Sequence, residues 1–234
     1  MQNSSIPTLL ITGASKGVGY ATALLFANNG YKVIAISRSV ETLLNLNHDN
    51  IISMKADITA PDFCIQLLDF LKTNTITSVD VVINNAAQLL SIPFLENTLE
   101  NITTLYATNV IAPIQLVQTI YPFLKKADFG QIINITSMGG VQGSSKFNGL
   151  SVYTSTKAAL INLTECWAEE FKADAIHVNS IALGAVDTEM LQNAFPVYKT
   201  DVTPDSIAAF IYFFVTYAGK LMNGKTFPVS KTTP

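Results

Sequence analysis

Two residue pairs of the chain could place a tyrosine hydroxyl beside a lysine ammonium. Tyr153 and Lys157 stand four positions apart, as do Tyr121 and Lys125, so each pair shares one face of its predicted helix. A tyrosine that exchanges its proton at neutral pH needs a pKa below the usual value of about 10, and a nearby positive charge favours the phenolate. Each pair therefore has residue types suited to acid/base chemistry, although the spacing alone is weak evidence.

The surrounding sequence distinguishes the two pairs. Tyr153 follows a predicted strand that ends at Ser137, which would deliver a serine hydroxyl to the carboxyl edge of a sheet. Ser137 could hold a carbonyl or hydroxyl oxygen while Tyr153 exchanges a proton and a hydride moves to or from a cofactor. The other pair contains Pro122 near the end of a predicted helix and has no evident polar partner, so we interpret Tyr121 and Lys125 as structural.

A glycine-rich segment, Gly13-Ala14-Ser15-Lys16-Gly17-Val18-Gly19, follows the first predicted strand and opens the first predicted helix. Free backbone N–H groups and the helix dipole favour a phosphate there. Its G-x-x-x-G-x-G spacing departs from the dinucleotide fingerprint G-x-G-x-x-G. The segment also matches G-x-S-x-G, the nucleophile elbow of serine hydrolases, with Ser15 as nucleophile. The short stretch before Gly13 leaves no room for the strands that precede such an elbow, which disfavours a hydrolase.

Apolar runs bounded by turn residues alternate with helical patterns along the chain, which is typical of βαβ units. The pattern predicts an α/β fold in one domain, residues 1–234, with a single doubly wound, Rossmann-like parallel sheet of about seven strands flanked by helices. Ligands of such sheets bind at the carboxyl ends of the strands. The predicted strands are 8–12, 31–36, 51–55, 79–84, 131–135, 175–181 and 227–229, and the predicted helices are 18–28, 40–46, one opened at 59–61, 99–125, 152–172 and one opened at 203–205.

Composition and charge exclude several classes of function. The chain has 14 Lys+Arg against 17 Asp+Glu and no basic stripe, so we expect no nucleic-acid partner. Its two cysteines and two histidines lack metal-ligand spacing, so we expect no metal site and reduced thiols. The N-terminus lacks a basic region, which predicts a cytoplasmic protein. The apolar run 207–219 is shorter than the ~20 residues of a membrane span, and we expect a buried or subunit-facing helix and no membrane partner.

Several motifs, taken in order, resemble those of the short-chain dehydrogenase/reductase family over about Thr8 to Thr188: the glycine-rich segment, Asn84-Asn85-Ala86-Ala87, Asn109, Ser137, Tyr153-x-x-x-Lys157 and Leu183-Gly184-Ala185-Val186-Asp187-Thr188. The resemblance implies an NAD(P)-dependent oxidoreductase with Tyr153 as catalytic acid/base. It also implies that Ser137 polarises the substrate, that Lys157 binds the nicotinamide ribose and tunes Tyr153, and that Asn109 holds a proton-relay water.

The predicted cofactor site combines the glycine-rich segment, the end of the second strand and positions implied by the resemblance. Asp57 and Ile58 would contact adenine, Asn85 to Ala87 would line the cofactor, and Val186 and Thr188 would hold the carboxamide. The full set is Gly13, Ser15, Lys16, Gly17, Val18, Gly19, Arg38, Ser39, Asp57, Ile58, Asn85, Ala86, Ala87, Tyr153, Lys157, Val186 and Thr188.

The end of the second strand predicts NADP(H) over NAD(H). A carboxylate about 20 residues beyond the glycine loop binds the 2′-hydroxyl of NAD, whereas an arginine accommodates the 2′-phosphate of NADP. Here the strand leads to Arg38, the only arginine of the chain, and no carboxylate occurs before Glu41. Lys16 could add a second positive charge at the same phosphate.

Some features depart from the family pattern and leave the substrate open. Ala87 replaces a glycine and Leu183 a proline, while the span from Ser137 to Tyr153 is longer than in the family, with extra residues in 143–149 that could reshape the pocket mouth. The substrate loop, about 185–203, is short. We expect a small carbonyl or alcohol substrate and a homodimer or homotetramer. The alternative is a non-catalytic NADP(H)-binding sensor or interaction protein, since fold alone does not establish activity.

Overall fold

The computed structural model describes residues 6–231, which form one seven-stranded sheet with every neighbouring pair parallel. The strand order is β3-β2-β1-β4-β5-β6-β7, so the order reverses between β1 and β4. This arrangement confirms the predicted doubly wound sheet, including its edge strand. The strands are β1 Thr8–Thr12, β2 Lys32–Ser37, β3 Ile51–Lys55, β4 Val81–Asn84, β5 Gly130–Ser137, β6 Ile176–Leu183 and β7 Thr226–Val229.

Helices connect the strands and cover both faces of the sheet. They are α1 Gly17–Asn28, α2 Glu41–Leu44, α3 Phe63–Thr73, α4 Leu99–Tyr106, α5 Ala112–Leu124, α6 Ser151–Glu170, α7 Glu189–Ala194 and α8 Pro204–Thr216. A π-helical segment, Ala107–Ile111, joins α4 to α5, and short 3-10 segments occupy Phe94–Glu96, Met138–Gly140, Lys172–Asp174 and Ala218–Leu221.

Two apolar layers hold the helices on the sheet, because strands covered on both faces carry apolar side chains on both sides. All five residues of β1 are buried. One layer packs α1 and α8 through Phe26, Ile211 and Phe214. The other packs α3, α5 and α6, with Phe63 and Trp167 among its members. The apolar helix α8 is thus buried within the chain along one face.

The long helix predicted over 99–125 is present, but it is not a regular α-helix throughout. Thr98 caps α4 by accepting a hydrogen bond from the Asn101 N–H at 3.2 Å. The π-helical segment then interrupts the α-helical hydrogen-bond pattern before α5 begins. A π-turn accommodates one extra residue, which an apolar periodicity does not reveal. The short helix α7 was also not predicted, and it lies inside the expected substrate loop 185–203.

Within residues 6–231, no helix combines the length and apolar character that crossing a bilayer requires. The same described residues contain no group of three His, Cys, Asp or Glu side chains arranged for a metal ion. Both cysteines are free thiols.

Candidate active site

Three side chains converge at the carboxyl end of β5. Ser137 is the last residue of β5, and α6 turns Tyr153 and Lys157 toward it. Tyr153 is 8% exposed and Lys157 is 3% exposed. The Lys157 ammonium donates to the carbonyl oxygen of Ile135 at 3.0 Å and lies 5.8 Å from the centre of the Tyr153 ring. The structure therefore brings together the serine, tyrosine and lysine predicted from the sequence.

Burial is the largest cause of the pKa shifts of Tyr153 and Lys157. It raises the pKa of Tyr153 to about 12, while a hydrogen bond with the Ser137 hydroxyl acts in the opposite direction. Burial also lowers the pKa of Lys157 to about 8. The sequence predicts that Lys157 lowers the pKa of Tyr153, but in the protein alone the lost hydration of the phenolate decides the direction and Lys157 is not among the causes of the raised pKa. Tyr153 is consequently a protonated phenol at neutral pH.

Asn109 sits in the π-helical segment and is 1% exposed. Its amide nitrogen donates to the Gln88 carbonyl oxygen at 2.9 Å and to Thr156 Oγ1 at 3.0 Å, and its oxygen accepts from the Gln88 N–H at 2.8 Å. Both amide hydrogens are thus engaged within the protein, and the role of Asn109 in holding a proton-relay water stays a prediction. The side chain joins the segment after β4 to α6, because it bonds to the Gln88 backbone on one side and to Thr156, the neighbour of Lys157, on the other.

The glycine-rich segment and the segment after β4 meet where the strand order reverses. Gly13 has a φ of 69°, and a Cβ there would lie 2.8 Å from the Ala86 Cα. A Cβ at Gly19 would collide with the Gly13 carbonyl oxygen and the Asn85 amide. Thr12 holds the junction, since its Oγ1 accepts from the N–H groups of Asn85 and Ala86 at 3.2 and 3.1 Å. Close backbone approach at a helix N-terminus fits a pyrophosphate.

Ser15 does not have the surroundings of a hydrolytic nucleophile. Its Oγ accepts a hydrogen bond from Ser37 Oγ at 2.8 Å, which ties the glycine-rich segment to the end of β2. A serine nucleophile needs an adjacent base. The two histidines of the chain lie elsewhere, with His48 bonded to Asn28 and His177 to the Gly219 carbonyl. The geometry therefore removes the basis for the hydrolase alternative.

The ends of β2 and β3 form the predicted adenosine side of the site. Arg38 and Ser39 are exposed, and the Ser39 hydroxyl donates to Glu41 at 2.9 Å. Hydrogen bonds from the Thr59 N–H and hydroxyl lower the pKa of Asp57, and the charge of Arg38 lowers it further. Ile58 is half-buried beside Asp57. The structure thus places the predicted arginine and the predicted adenine contacts at adjoining strand ends.

Lys16 is placed differently from the expectation. Its ammonium forms an exposed salt bridge with Glu189 of α7 at 2.7 Å, so the second positive charge predicted beside Arg38 is paired with a carboxylate. Thr188 caps α7 by accepting from the Leu191 N–H at 3.3 Å. A Cβ at Gly17 would lie 3.4 Å from the Thr188 methyl group. The substrate loop therefore begins directly over the glycine-rich segment.

The remaining predicted residues line the same edge of the sheet. Val18 is buried at the start of α1, Val186 is buried after β6, and Ala87 is partly exposed after β4. The sequence reasoning missed the supporting roles of Thr12, Gln88 and Thr156. The positions of Thr12, directly before Gly13, and of Thr156, between Tyr153 and Lys157, could have indicated these roles. Gln88 acts through its backbone, so its residue type gave no such indication.

Comparison with known proteins places this geometry in context. A family model described as short chain dehydrogenase matches residues 7–199. An uncharacterized oxidoreductase of Staphylococcus saprophyticus is 31% identical over 231 residues, with 92% of each chain covered. The solved structure of ElxO with NADP bound is 27% identical, with 97% of this chain and 98% of that chain covered and a TM-score of 0.84. A 3-ketoacyl-(acyl-carrier-protein) reductase from Brucella melitensis, solved with NADH, shares 21% identity and 96% of each chain at a TM-score of 0.84, which shows likeness of fold.

Proposed function

The chain belongs to the short-chain dehydrogenase family, and we propose that it is an NADP(H)-dependent oxidoreductase acting on a small carbonyl or alcohol substrate. One observation carries the proposal. The Ser137 and Tyr153 side chains come together at the carboxyl edge of the sheet, where Ser137 acts to lower the pKa of Tyr153, and the buried Lys157 ammonium lies 5.8 Å from the centre of the tyrosine ring.

Each member of this group has a separate task. When bound, the nicotinamide supplies or accepts the hydride. Ser137 donates a hydrogen bond to the substrate oxygen, and Tyr153 transfers its phenolic proton to that oxygen as the carbonyl carbon becomes an alcohol carbon. In the reverse direction the tyrosine takes the alcohol proton. Lys157 uses one of its three ammonium donors on the Ile135 carbonyl, which leaves two for ribose hydroxyls.

The ionisation states suit the acid role. A Tyr153 pKa of about 12 keeps the phenol protonated at neutral pH, so it can donate in carbonyl reduction. Alcohol oxidation needs the phenolate, and two positive charges, on Lys157 and on an oxidised nicotinamide, would favour that form. We therefore expect the pKa of Tyr153 to fall when the oxidised cofactor binds.

The preference for NADP(H) rests on Arg38. This exposed side chain forms no salt bridge among residues 6–231, and Ser39 directs its hydroxyl to Glu41. A guanidinium at the end of β2 can bind a 2′-phosphate through two parallel hydrogen bonds. ElxO, whose structure contains NADP, offers a precedent among similar chains.

The test of the function measures oxidation of NADPH and NADH with aldehydes, ketones, quinones and 3-oxoacyl thioesters. We expect NADPH-dependent turnover with at least one class and its loss in Tyr153→Phe. Tight NADPH binding without turnover on any of these substrates would instead favour the sensor alternative.

The cofactor preference has its own test. Arg38→Asp should weaken NADPH binding by about 10-fold or more, on the scale of a lost charge-assisted hydrogen bond, and leave NADH binding nearly unchanged. Lys32→Asp is the matched control, because Lys32 lies at the amino end of β2 whereas Arg38 directly follows its carboxyl end. An unchanged ratio of NADPH to NADH affinity in Arg38→Asp would contradict the assignment.

Two further expectations concern the setting of the enzyme. We propose a homodimer or homotetramer, supported by the exposed aromatic side chains of Phe213 on α8 and of Tyr217 directly after it. Light scattering of the purified chain measures this directly. We also propose a cytoplasmic location, supported by the two free thiols.

A further inference from the structure

The loop between β5 and α6 contains an ordered set of hydrogen bonds that the proposed function does not use. Lys146 folds across this loop and donates to the carbonyl oxygens of Gly139 and Val141 and to Ser144 Oγ, each at 2.7 Å. An ammonium has three donors, so these contacts occupy all of them. In the part of the chain that the structure describes, no carboxylate forms a salt bridge with Lys146. Its charge therefore acts on neutral acceptors alone.

Ser144 is the next link in a series of hydrogen bonds that runs from Lys146 to Ser137. Its oxygen accepts from Lys146 and lies 2.5 Å from the Met138 carbonyl oxygen and 2.9 Å from that of Val141. A hydroxyl has one hydrogen to donate. We assign it to Met138, because that distance is shorter and because the Val141 oxygen already accepts from Lys146. The Lys146 charge is thus linked to the Met138 carbonyl through one hydroxyl group.

The last link reaches the active site. The Met138 carbonyl and the Gly139 N–H belong to the same peptide unit, and this N–H donates to Ser137 Oγ at 3.2 Å. Hydrogen bonds in series polarise one another, so a donor on the carbonyl strengthens the N–H as a donor. A hydroxyl oxygen that accepts a stronger hydrogen bond in turn donates its own hydrogen more strongly. The series therefore ends on the hydroxyl that faces Tyr153.

We propose that Lys146 is a positioning residue for catalysis, whose charge acts through Ser144 and the Met138–Gly139 peptide to strengthen the hydrogen bond that Ser137 donates to the substrate oxygen. The inference rests on the proposed function. Negative charge grows on the substrate oxygen as hydride reaches the carbonyl carbon, so a stronger donor stabilises the transition state more than the bound substrate. The effect should appear in kcat rather than in KM.

The kinetic test uses a double-mutant cycle. Lys146→Met removes the charge and retains most of the side-chain volume, and Ser144→Ala removes the connecting hydroxyl. Each variant should lower kcat by about 2- to 4-fold, because the change weakens the Ser137 hydrogen bond without removing it, and change KM by less than about 2-fold. The double variant should lose no more than either single variant, because both changes interrupt the same series. Lys172→Met, which removes an exposed lysine paired with Glu169 at the amino edge of the sheet, is the matched control.

A second readout does not require turnover. The amide proton resonance of Gly139, followed by NMR in the full chain, reports the strength of its hydrogen bond to Ser137. It should move upfield in Lys146→Met and Ser144→Ala and stay in place in Lys172→Met. An unmoved Gly139 resonance overturns the series, whatever the activity. Single-variant losses of kcat that add in the double variant also overturn it.

The two proposals fail in different ways. An enzyme without turnover in the wild-type form contradicts the proposed function, and the Gly139 resonance then still decides whether the hydrogen-bond series exists. A wild-type enzyme that turns over, with Lys146→Met raising KM or lowering the melting temperature at unchanged kcat, contradicts the role of Lys146 alone. That outcome would mean that Lys146 only orders the loop.

Discussion

The two Y-x-x-x-K pairs of this chain lie at the end of α5, where Lys125 is the C-cap, and within α6. Both helices pack on the same face of the sheet, but the pKa values of the two lysines shift in opposite directions. Lys125 lies 5.5 Å from the centre of the Tyr121 ring and Lys157 lies 5.8 Å from that of Tyr153. Asp174 raises the pKa of Lys125, whereas burial lowers the pKa of Lys157 to about 8. The same spacing therefore gives two different electrostatic environments.

The third partner explains the difference. Asp174 accepts a hydrogen bond from the Tyr121 hydroxyl and forms a salt bridge with Lys125 at 2.8 Å, so this pair joins α5 to the segment before β6. Tyr153 instead lies beside the Ser137 hydroxyl, and no carboxylate is among the causes of its raised pKa. The Asp174 carboxylate accepts the hydrogen bond of the Tyr121 hydroxyl and pairs with the charge of Lys125. The neutral Ser137 hydroxyl does not pair with a lysine charge, so the Tyr153 proton and the Lys157 ammonium remain available to ligands. The neighbour, rather than the spacing, decides whether such a pair is structural or chemical.

The largest contrast should appear when the tyrosines lose their hydroxyl groups. Tyr153→Phe should lower kcat by about 1000-fold, because a general acid contributes 100- to 10,000-fold. Tyr121→Phe should leave kcat unchanged, since its hydroxyl serves Asp174. Initial rates of NADPH oxidation with the best substrate measure both. A Tyr153→Phe enzyme that keeps a tenth of wild-type activity would remove the chemical distinction between the pairs.

Replacing the two lysines should give the second-largest contrast in activity. Lys157→Met should lower kcat by about 100-fold and weaken NADPH binding, because the ammonium both contacts the ribose and favours the phenolate in the proposed mechanism. Lys125→Met should alter neither quantity. Steady-state kinetics and NADPH fluorescence titration give the two readouts. Equal effects of the two substitutions would count against the assigned roles.

The pH dependence of stability should have opposite signs for the two lysines. Lys157 has a depressed pKa, so the unfolded chain binds more protons and wild-type stability rises with pH through about 8 to 10.5. Relative to Lys157→Met, the wild-type protein should gain about 2 kcal/mol between pH 7 and 10. Lys125 has a raised pKa, so its stabilising contribution is complete below about 10.5 and is lost above it. Urea unfolding from pH 7 to about 11.5 tests both signs, and parallel slopes would contradict them.

The smallest effect should come from Asp174→Asn. An amide accepts the Tyr121 and Lys125 hydrogen bonds less strongly than a carboxylate, and the site is near the surface, so the melting temperature should fall by no more than about 3 °C. Activity should not change. Differential scanning calorimetry beside an activity assay measures this variant, and a loss of kcat would show that the structural pair communicates with the active site.

Much of the fold follows from local sequence, and some of the site does not. The strands β1 and β3 are short, largely apolar runs between turn residues, so both were predicted with their observed bounds. Ser137 and Tyr153 could be placed together because parallel strands end at one edge and α6 follows β5. The raised pKa of Tyr153 could not be predicted, because it depends on burial by residues distant in sequence.

Two other features had no local signal. Apolar periodicity does not register the extra residue of a π-turn, so α4 and α5 were merged in the prediction. The loop after Ser137 was expected to alter the pocket mouth, but the role of Lys146 depends on how the chain folds back over backbone carbonyls. Such contacts are made by the main chain and leave no pattern of side chains in the sequence.

The π-helical segment Ala107–Ile111 also bears on the balance between stability and function. A chain one residue shorter there could continue as regular α-helix, whose hydrogen bonds are better aligned. The deletion would rotate Asn109 by about 100° relative to the helix that follows and separate it from Gln88 and Thr156. The segment thus gives up helical regularity to keep one amide in register with the loop beside the active site.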